Sequence, residues 1–223
     1  MSYRAIIFDL DGTLVDTLAD LTDAMNYALS NAALPTRSMD ECRRFVGEGL
    51  DKYVARALPE GKEHLHRKVK GDFRAYYREH MLDQSRPYDG IGALLAELSR
   101  RGMPMSVLSN KPQDSVELMV ERLLDRWEFA EVRGERDDSP LKPDPAAATQ
   151  IADALGIDPR QFIFLGDSKT DMQTAVNAGM HPVGAAWGFR DAEELLSHGA
   201  KAVIERPMDL VDIIGGRTGW AGG

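Results

Sequence analysis

Two carboxylates stand one residue apart, Asp9 and Asp11, at the end of the apolar run Ala5-Ile6-Ile7-Phe8. Carboxylates that close repel each other unless a shared proton or a divalent cation lies between them. Hard oxygen donors favour Mg²⁺ as that cation. Gly12 then lets the chain turn sharply away. A calcium loop counted from Asp9 needs Gly at its sixth position and Glu at its twelfth, but Leu14 and Asp20 stand there, so that chemistry is excluded. A strand closing in an ordinary Asp-Gly turn is the other reading of the segment taken alone. Three further polar clusters follow apolar runs or open helices: Ser109 with Asn110, Lys142, and Asp167 with Asp171.

The elements that must position these groups follow from periodicity. Apolar residues that run straight into a polar pair describe a buried strand ending at a site, and in an open α/β sheet ligands gather at the carboxyl ends of strands. Ala5–Phe8, Met103–Leu108, Phe129–Val132, Gln161–Leu165, Pro182–Trp187 and Lys201–Ile204 read as strands, with helices over Ile91–Arg101, Gln113–Arg126, Pro145–Leu155 and from Met172 to Gly179 between them. Between the first strand and the rest, residues 18–82 read as helical throughout. Leu18, Leu21, Met25, Ala28 and Leu29 have helical spacing, and Ser38 with Glu41 forms a capping box. Gly47-Glu48-Gly49 interrupts this region, and Leu65, Val69, Phe73 and Tyr77 resume it in a longer helix. The expected architecture is a doubly wound, parallel, Rossmann-like α/β sheet built from residues 1–16 and 84–214. An all-helical cap of residues 17–83 is inserted after strand one, and residues 215–223 form a flexible Gly-rich tail.

The 223 residues are 43% hydrophobic and 28% charged, ordinary for a globular protein with a sizeable core. No long apolar run suggests a membrane span. The net charge of −9 stands against nucleic acid as a partner, which would need a surplus of Lys and Arg. It does not stand against a small anion held in a locally positive cleft. The lone Cys42 allows no disulfide within the chain and reads as a small apolar residue of a cytoplasmic protein. His64 and His66, two apart, lie on different helix faces and read as surface.

Taken together, these motifs resemble the haloacid dehalogenase superfamily over residues 3–205. The matching segments are Asp9-Leu10-Asp11-Gly12-Thr13, Leu108-Ser109-Asn110-Lys111, Leu141-Lys142-Pro143 and Gly166-Asp167-Ser168-Lys169-Thr170-Asp171. The resemblance implies that Asp9 is a nucleophile forming an aspartyl-phosphate, and that Asp11 is the acid that protonates the leaving alkoxide and the base that then activates water. It implies Mg²⁺ held by Asp9, by the backbone carbonyl of Asp11 and by Asp167, with Asp171 as an outer partner. Ser109 and Lys142, joined by Gly12, Thr13 and Asn110, would bind the phosphoryl group. Dehalogenases lack a carboxylate at the position of Asp11, so its presence points to phosphoryl transfer.

The helical insertion and Phe45-Val46-Gly47-Glu48-Gly49-Leu50 resemble the phosphoglycolate phosphatase branch. The expected activity is hydrolysis of a small phosphomonoester by a monomer or homodimer, with the specificity residues sought at Arg44, Gly47, Glu48 and Gly49. Glu48 departs from the branch's pattern; facing the cleft, it would oppose a carboxylate-bearing substrate and favour a hydroxylated one. Lys52 and Arg56 are further candidates for the non-phosphate end. Pyrophosphatase, sugar-phosphate phosphatase and phosphoglucomutase activities are alternatives on the same fold, as is a binding protein that has lost catalysis.

Overall fold

The structure is a computed structural model that describes residues 3–136 and 139–216. β1 (Ala5–Phe8) leads through the two-residue strand β2 (Val15–Asp16) into α1 (Leu18–Asn31), α2 (Met39–Phe45), α3 (Leu50–Ala57) and α4 (His66–His80). The chain returns along β3 (Arg86–Pro87) and continues through α5 (Ile91–Arg100), β4 (Met105–Pro112), α6 (Gln113–Leu123) and β5 (Glu131–Glu135). It closes with α7 (Ala146–Leu155), β6 (Phe162–Gly166), α8 (Lys169–Asn177), β7 (His181–Ala185), α9 (Ala192–Ser197), β8 (Ala202–Ile204) and α10 (Asp209–Ile214).

Six strands form one parallel sheet in the order β5-β4-β1-β6-β7-β8, which puts β1 between β4 and β6. Along β1, Ile6 and Phe8 enter the core with Leu94, Leu95, Leu98, Val116 and Met119 of α5 and α6. Ala5 and Ile7 pack on the other face with Ala148, Ile151 and Ala152 of α7. Both faces are covered, so the strand reads as an unbroken apolar run rather than an alternation.

β2 and β3 pair antiparallel, Val15 with Pro87 and Asp16 with Arg86, where the chain leaves the sheet for the four helices and comes back. Buried Asp20 of α1 secures the return. Its carboxylate accepts from the Gln84 and Ser85 amides at 3.0 and 2.8 Å and from the Ser85 hydroxyl at 2.7 Å. α1 packs along α4, and the Ser38–Glu41 capping box opens α2 as its spacing predicts. Cys42 is fully buried.

Three features differ from the sequence expectation. β2 and β3 are too short to show a period, and α9 and α10, six residues each, lie where no helix is expected. β4 runs four residues past its apolar stretch, to Pro112, so Ser109, Asn110 and Lys111 lie within the strand, which shifts register against β5 there. Of the expected tail, residues 217–223 lie outside the described residues. No helix among the described residues is long and apolar enough to cross a membrane.

Candidate active site

Asp9 follows the last residue of β1 and is fixed through the sheet: its amide donates to Leu165 O of β6 at 2.9 Å. Its carboxylate accepts from the Leu10 amide at 2.7 Å and lies 2.9 Å from Lys142 Nζ. Asp167 follows β6, and one of its oxygens accepts from the Phe189 amide at 2.7 Å. Gly12 (φ +83°) and Gly188 are needed where the chain passes this carboxylate, because a Cβ on either would collide with the Asp167 side chain. The Thr13 hydroxyl reaches Asp167 at 3.4 Å.

Asp171 sits in the first turn of α8, one oxygen bound to the Ser168 amide at 3.0 Å and the other 2.6 Å from Lys142 Nζ. One carboxylate oxygen from each of Asp9, Asp167 and Asp171 lies within 4.8 Å of the others, and all three residues are buried. Lys142 gives its remaining proton to Leu108 O at 3.0 Å.

The electrostatics follow from this crowding. Burial, then the neighbouring Asp171 charge, pushes the Asp9 carboxyl up to about 7, against the pull of Lys142. Burial raises Asp167 well above the ordinary carboxylate range, and Asp171 and Asp9 add to the effect. Lys142 is itself raised, because the two carboxylates beside it outweigh its burial. Three buried carboxylates against one ammonium leave an excess of negative charge. An all-oxygen donor set with that excess fits a hard divalent cation.

Asp11 is brought to the same cavity but not into the acidic cluster. Both of its oxygens face Lys111 Nζ, at 2.9 and 3.1 Å. Ser109, within β4, lines the cavity. Asn110, expected at the phosphate, uses its side chain on backbone instead. Its Oδ1 accepts from the Lys142 amide at 2.7 Å, and its Nδ2 donates to Lys142 O at 3.0 Å and to Gly47 O at 3.2 Å. The amide thereby fixes Lys142 and ties the α2–α3 turn to the sheet.

The cavity has a volume of about 440 Å³ and lies between the strand ends and the helices, with Gly47, Gly49, Tyr53, Phe73 and Tyr77 in its upper wall. Glu48, expected at the cleft, turns away from it. Its carboxylate meets Lys52 at 2.8 Å, Arg56 at 2.5 Å and, across the gap to α8, Lys169 at 3.1 Å. The glycines on either side, with φ of +116° and +87°, permit that turn. Lys52 and Arg56 are thus engaged away from the cavity.

Arg44 contributes only its carbonyl, to Arg190. That guanidinium, from the loop after β7, also takes the carbonyls of Arg43 and Val46 at 2.6 and 2.8 Å. Motif reading missed Lys111, Tyr77 and Arg190. A Lys directly after the Ser-Asn pair was the one available signal.

Asp9 and Asp167 directly after strands, Ser109 within β4 and Lys142 in the turn before α7 thus meet on one parallel sheet. Residues 6–185 match the haloacid dehalogenase-like hydrolase family, and the chain belongs to it. It is 34% identical over 220 residues to a phosphoglycolate phosphatase of Rhodospirillum rubrum, covering 95% of this chain and 91% of the relative. It is 31% identical over 224 residues to an N-acetylmuramic acid 6-phosphate phosphatase of Pseudomonas aeruginosa, covering 96% of each. A crystal structure from Lactobacillus delbrueckii subsp. bulgaricus, provisionally described as a phosphoglycolate phosphatase, superposes with a TM-score of 0.89 at 31% identity. It covers 96% of this chain and 99% of that one.

Proposed function

We propose that the protein hydrolyses a small phosphomonoester of the phosphoglycolate type, with Mg²⁺ and through an aspartyl-phosphate on Asp9. The observation that carries this reading is the convergence of buried Asp9, Asp167 and Asp171 on one point, with Lys142 beside them. Asp9, Asp167 and the Asp11 carbonyl would hold the cation, which when bound screens the negative charge between Asp9 and the phosphoryl group.

Asp9 attacks phosphorus and expels the alkoxide, which Asp11 protonates; Asp11 then takes a proton from the water that cleaves the aspartyl-phosphate. Lys142 and Ser109 face the phosphoryl oxygens as their charge redistributes. Asp171 orients Lys142 and leaves its other oxygen on Ser168, which supports an indirect part in metal binding. Gly12 and Thr13 keep the Asp167 carboxylate in place. Residues 17–83 act as a cap that excludes water and carries the leaving-group contacts.

The turned-away Glu48 removes the objection to a carboxylate-bearing substrate. The test is turnover of phosphoglycolate, N-acetylmuramic acid 6-phosphate and p-nitrophenyl phosphate in EDTA and after adding Mg²⁺. Phosphoglycolate hydrolysis that appears only with the cation is expected; no turnover of any ester with Mg²⁺ would refute the reading.

A further inference from the structure

The cavity holds a buried cation that the proposed chemistry leaves without a task. Lys111, its side chain 4% exposed, directs its ammonium to both Asp11 oxygens and, at 2.7 Å, to the hydroxyl of Tyr77. Tyr77 belongs to α4, in the opposite wall, so Lys111 spans the cavity from sheet to helix. The Tyr77 hydroxyl accepts from Lys111, and its own proton has no acceptor among the described residues. Two hydrogen-bond donors therefore sit side by side next to Asp11 in the cavity wall.

A buried ammonium needs a matching negative charge, and here Asp11 supplies it. In the mechanism proposed above, Asp11 must also serve the leaving oxygen. It cannot keep both oxygens on Lys111 while doing so. A substrate that brings its own anion to Lys111 resolves this conflict; a neutral one leaves the ammonium short of a partner.

We infer that Lys111 and Tyr77 form a carboxylate subsite, and that the substrate's carboxylate takes Lys111 over from Asp11 and so frees Asp11 for the leaving oxygen. The inference rests on the phosphatase reading and adds to it the two residues that read the substrate's carboxylate. With Lys111 Nζ 2.9 Å from Asp11 and one hydrogen bond from Asp11 to the leaving oxygen, the ammonium lies no more than about 6 Å from that oxygen. A carboxylate that reaches both Nζ and the Tyr77 hydroxyl is therefore carried on the carbon bearing the phosphate ester, or on the next one. The carboxylates that fit are those of 2- and 3-phospho-oxy carboxylic acids. A site built around a buried charge rejects an analogue lacking the partner far more strongly than an apolar pocket rejects a missing methylene.

The experiment compares the wild type with Lys111→Met and Tyr77→Phe in two ways. Binding of 3-phosphonopropanoate, which keeps the carboxylate, and of propylphosphonate, which lacks it, is measured by calorimetry with Mg²⁺ present. Turnover of phosphoglycolate and of p-nitrophenyl phosphate is measured alongside. The wild type is expected to bind the carboxylate analogue at least about 10-fold more tightly, and Lys111→Met to abolish that preference. In Lys111→Met, kcat/KM for phosphoglycolate is expected to fall about 100-fold and that for p-nitrophenyl phosphate by less than about 10-fold. Tyr77→Phe, which keeps the ring and its packing, should raise KM for phosphoglycolate several-fold with little change in kcat. Equal affinities for the two analogues in the wild type, or a carboxylate preference that survives in Lys111→Met, would mean that Lys111 only holds Asp11 and would overturn the inference. Absence of all turnover, with the binding preference intact, would refute the phosphatase reading and leave the subsite standing.

Discussion

Glu48 and Lys169 meet at 3.1 Å, joining the turn between α2 and α3 to the first turn of α8. Lys52 and Arg56 reinforce the same carboxylate, so Glu48 ties the helical layer to the sheet from outside the cavity. Glu48→Gln is therefore expected to leave the ratio of kcat/KM between phosphoglycolate and a sugar phosphate unchanged. Its partners are partly exposed, which limits the stability loss to about 1 kcal/mol, read from urea unfolding at neutral pH. A changed ratio would put Glu48 in contact with substrate.

The same carboxylate sets a pH dependence. Although burial opposes it, hydrogen bonding to Lys52, Arg56 and Lys169 lowers the Glu48 carboxyl to about 2, from an ordinary value near 4.5. A group depressed in the folded state contributes fully above its unfolded value, and the contribution disappears as pH falls through the folded one. The stability difference between wild type and Glu48→Gln should accordingly be constant above about pH 5 and shrink from there toward pH 2. Thermal unfolding of both proteins across that range is the measurement.

Asp9→Asn keeps the shape of the side chain and removes the carboxylate proposed as the nucleophile. Turnover of every phosphomonoester should fall by at least about 10³-fold while circular dichroism stays unchanged. Near-normal rates would remove Asp9 from the chemistry.

Lys142→Met leaves Asp9 and Asp171 buried without their common cation. Breaking a buried pair from one side costs about 3–5 kcal/mol, so a loss of that order is expected in EDTA. Mg²⁺ should restore part of it, because a cation among the same carboxylates supplies the missing charge. Urea midpoints with and without Mg²⁺ give the comparison.

Gly12→Ala puts a methyl group against the Asp167 carboxylate at a backbone φ of +83°. Activity should fall by about 100-fold or more, with a higher Mg²⁺ requirement than the wild type. Unaltered Mg²⁺ dependence would show that the loop and the carboxylate can move apart.

The strand ends were legible because each apolar run stops at a polar group, and the capping box at Ser38 because its partner lies three residues on. Lys111 and Glu48 were not legible in the same way. Their partners, Tyr77 and Lys169, lie 34 and 121 residues away, and local spacing carries no information about which side chains a fold brings face to face. Asn110 illustrates the same limit. Its place beside Ser109 suggests a phosphate contact, whereas Lys142 and Gly47, from two distant segments, take its amide. Six-residue helices such as α9 and α10 give too few turns for a 3.6-residue period to emerge.

The central place of β1 governs when the active centre comes into being during synthesis. Ile6 pairs with Met105 on one side and Ile163 on the other, 99 and 157 residues further along the chain. The strand that leads into Asp9 must therefore wait for about 157 further residues before both its neighbours exist. Contacts so distant in sequence form slowly, since a long loop must be closed before they yield any stabilisation. α1 to α4, by contrast, are contiguous and can pack on one another earlier. A nascent chain released before β6 would carry Asp9 and Asp11 on a strand with one edge open, without Asp167 and Asp171, and would be unable to handle a phosphate ester.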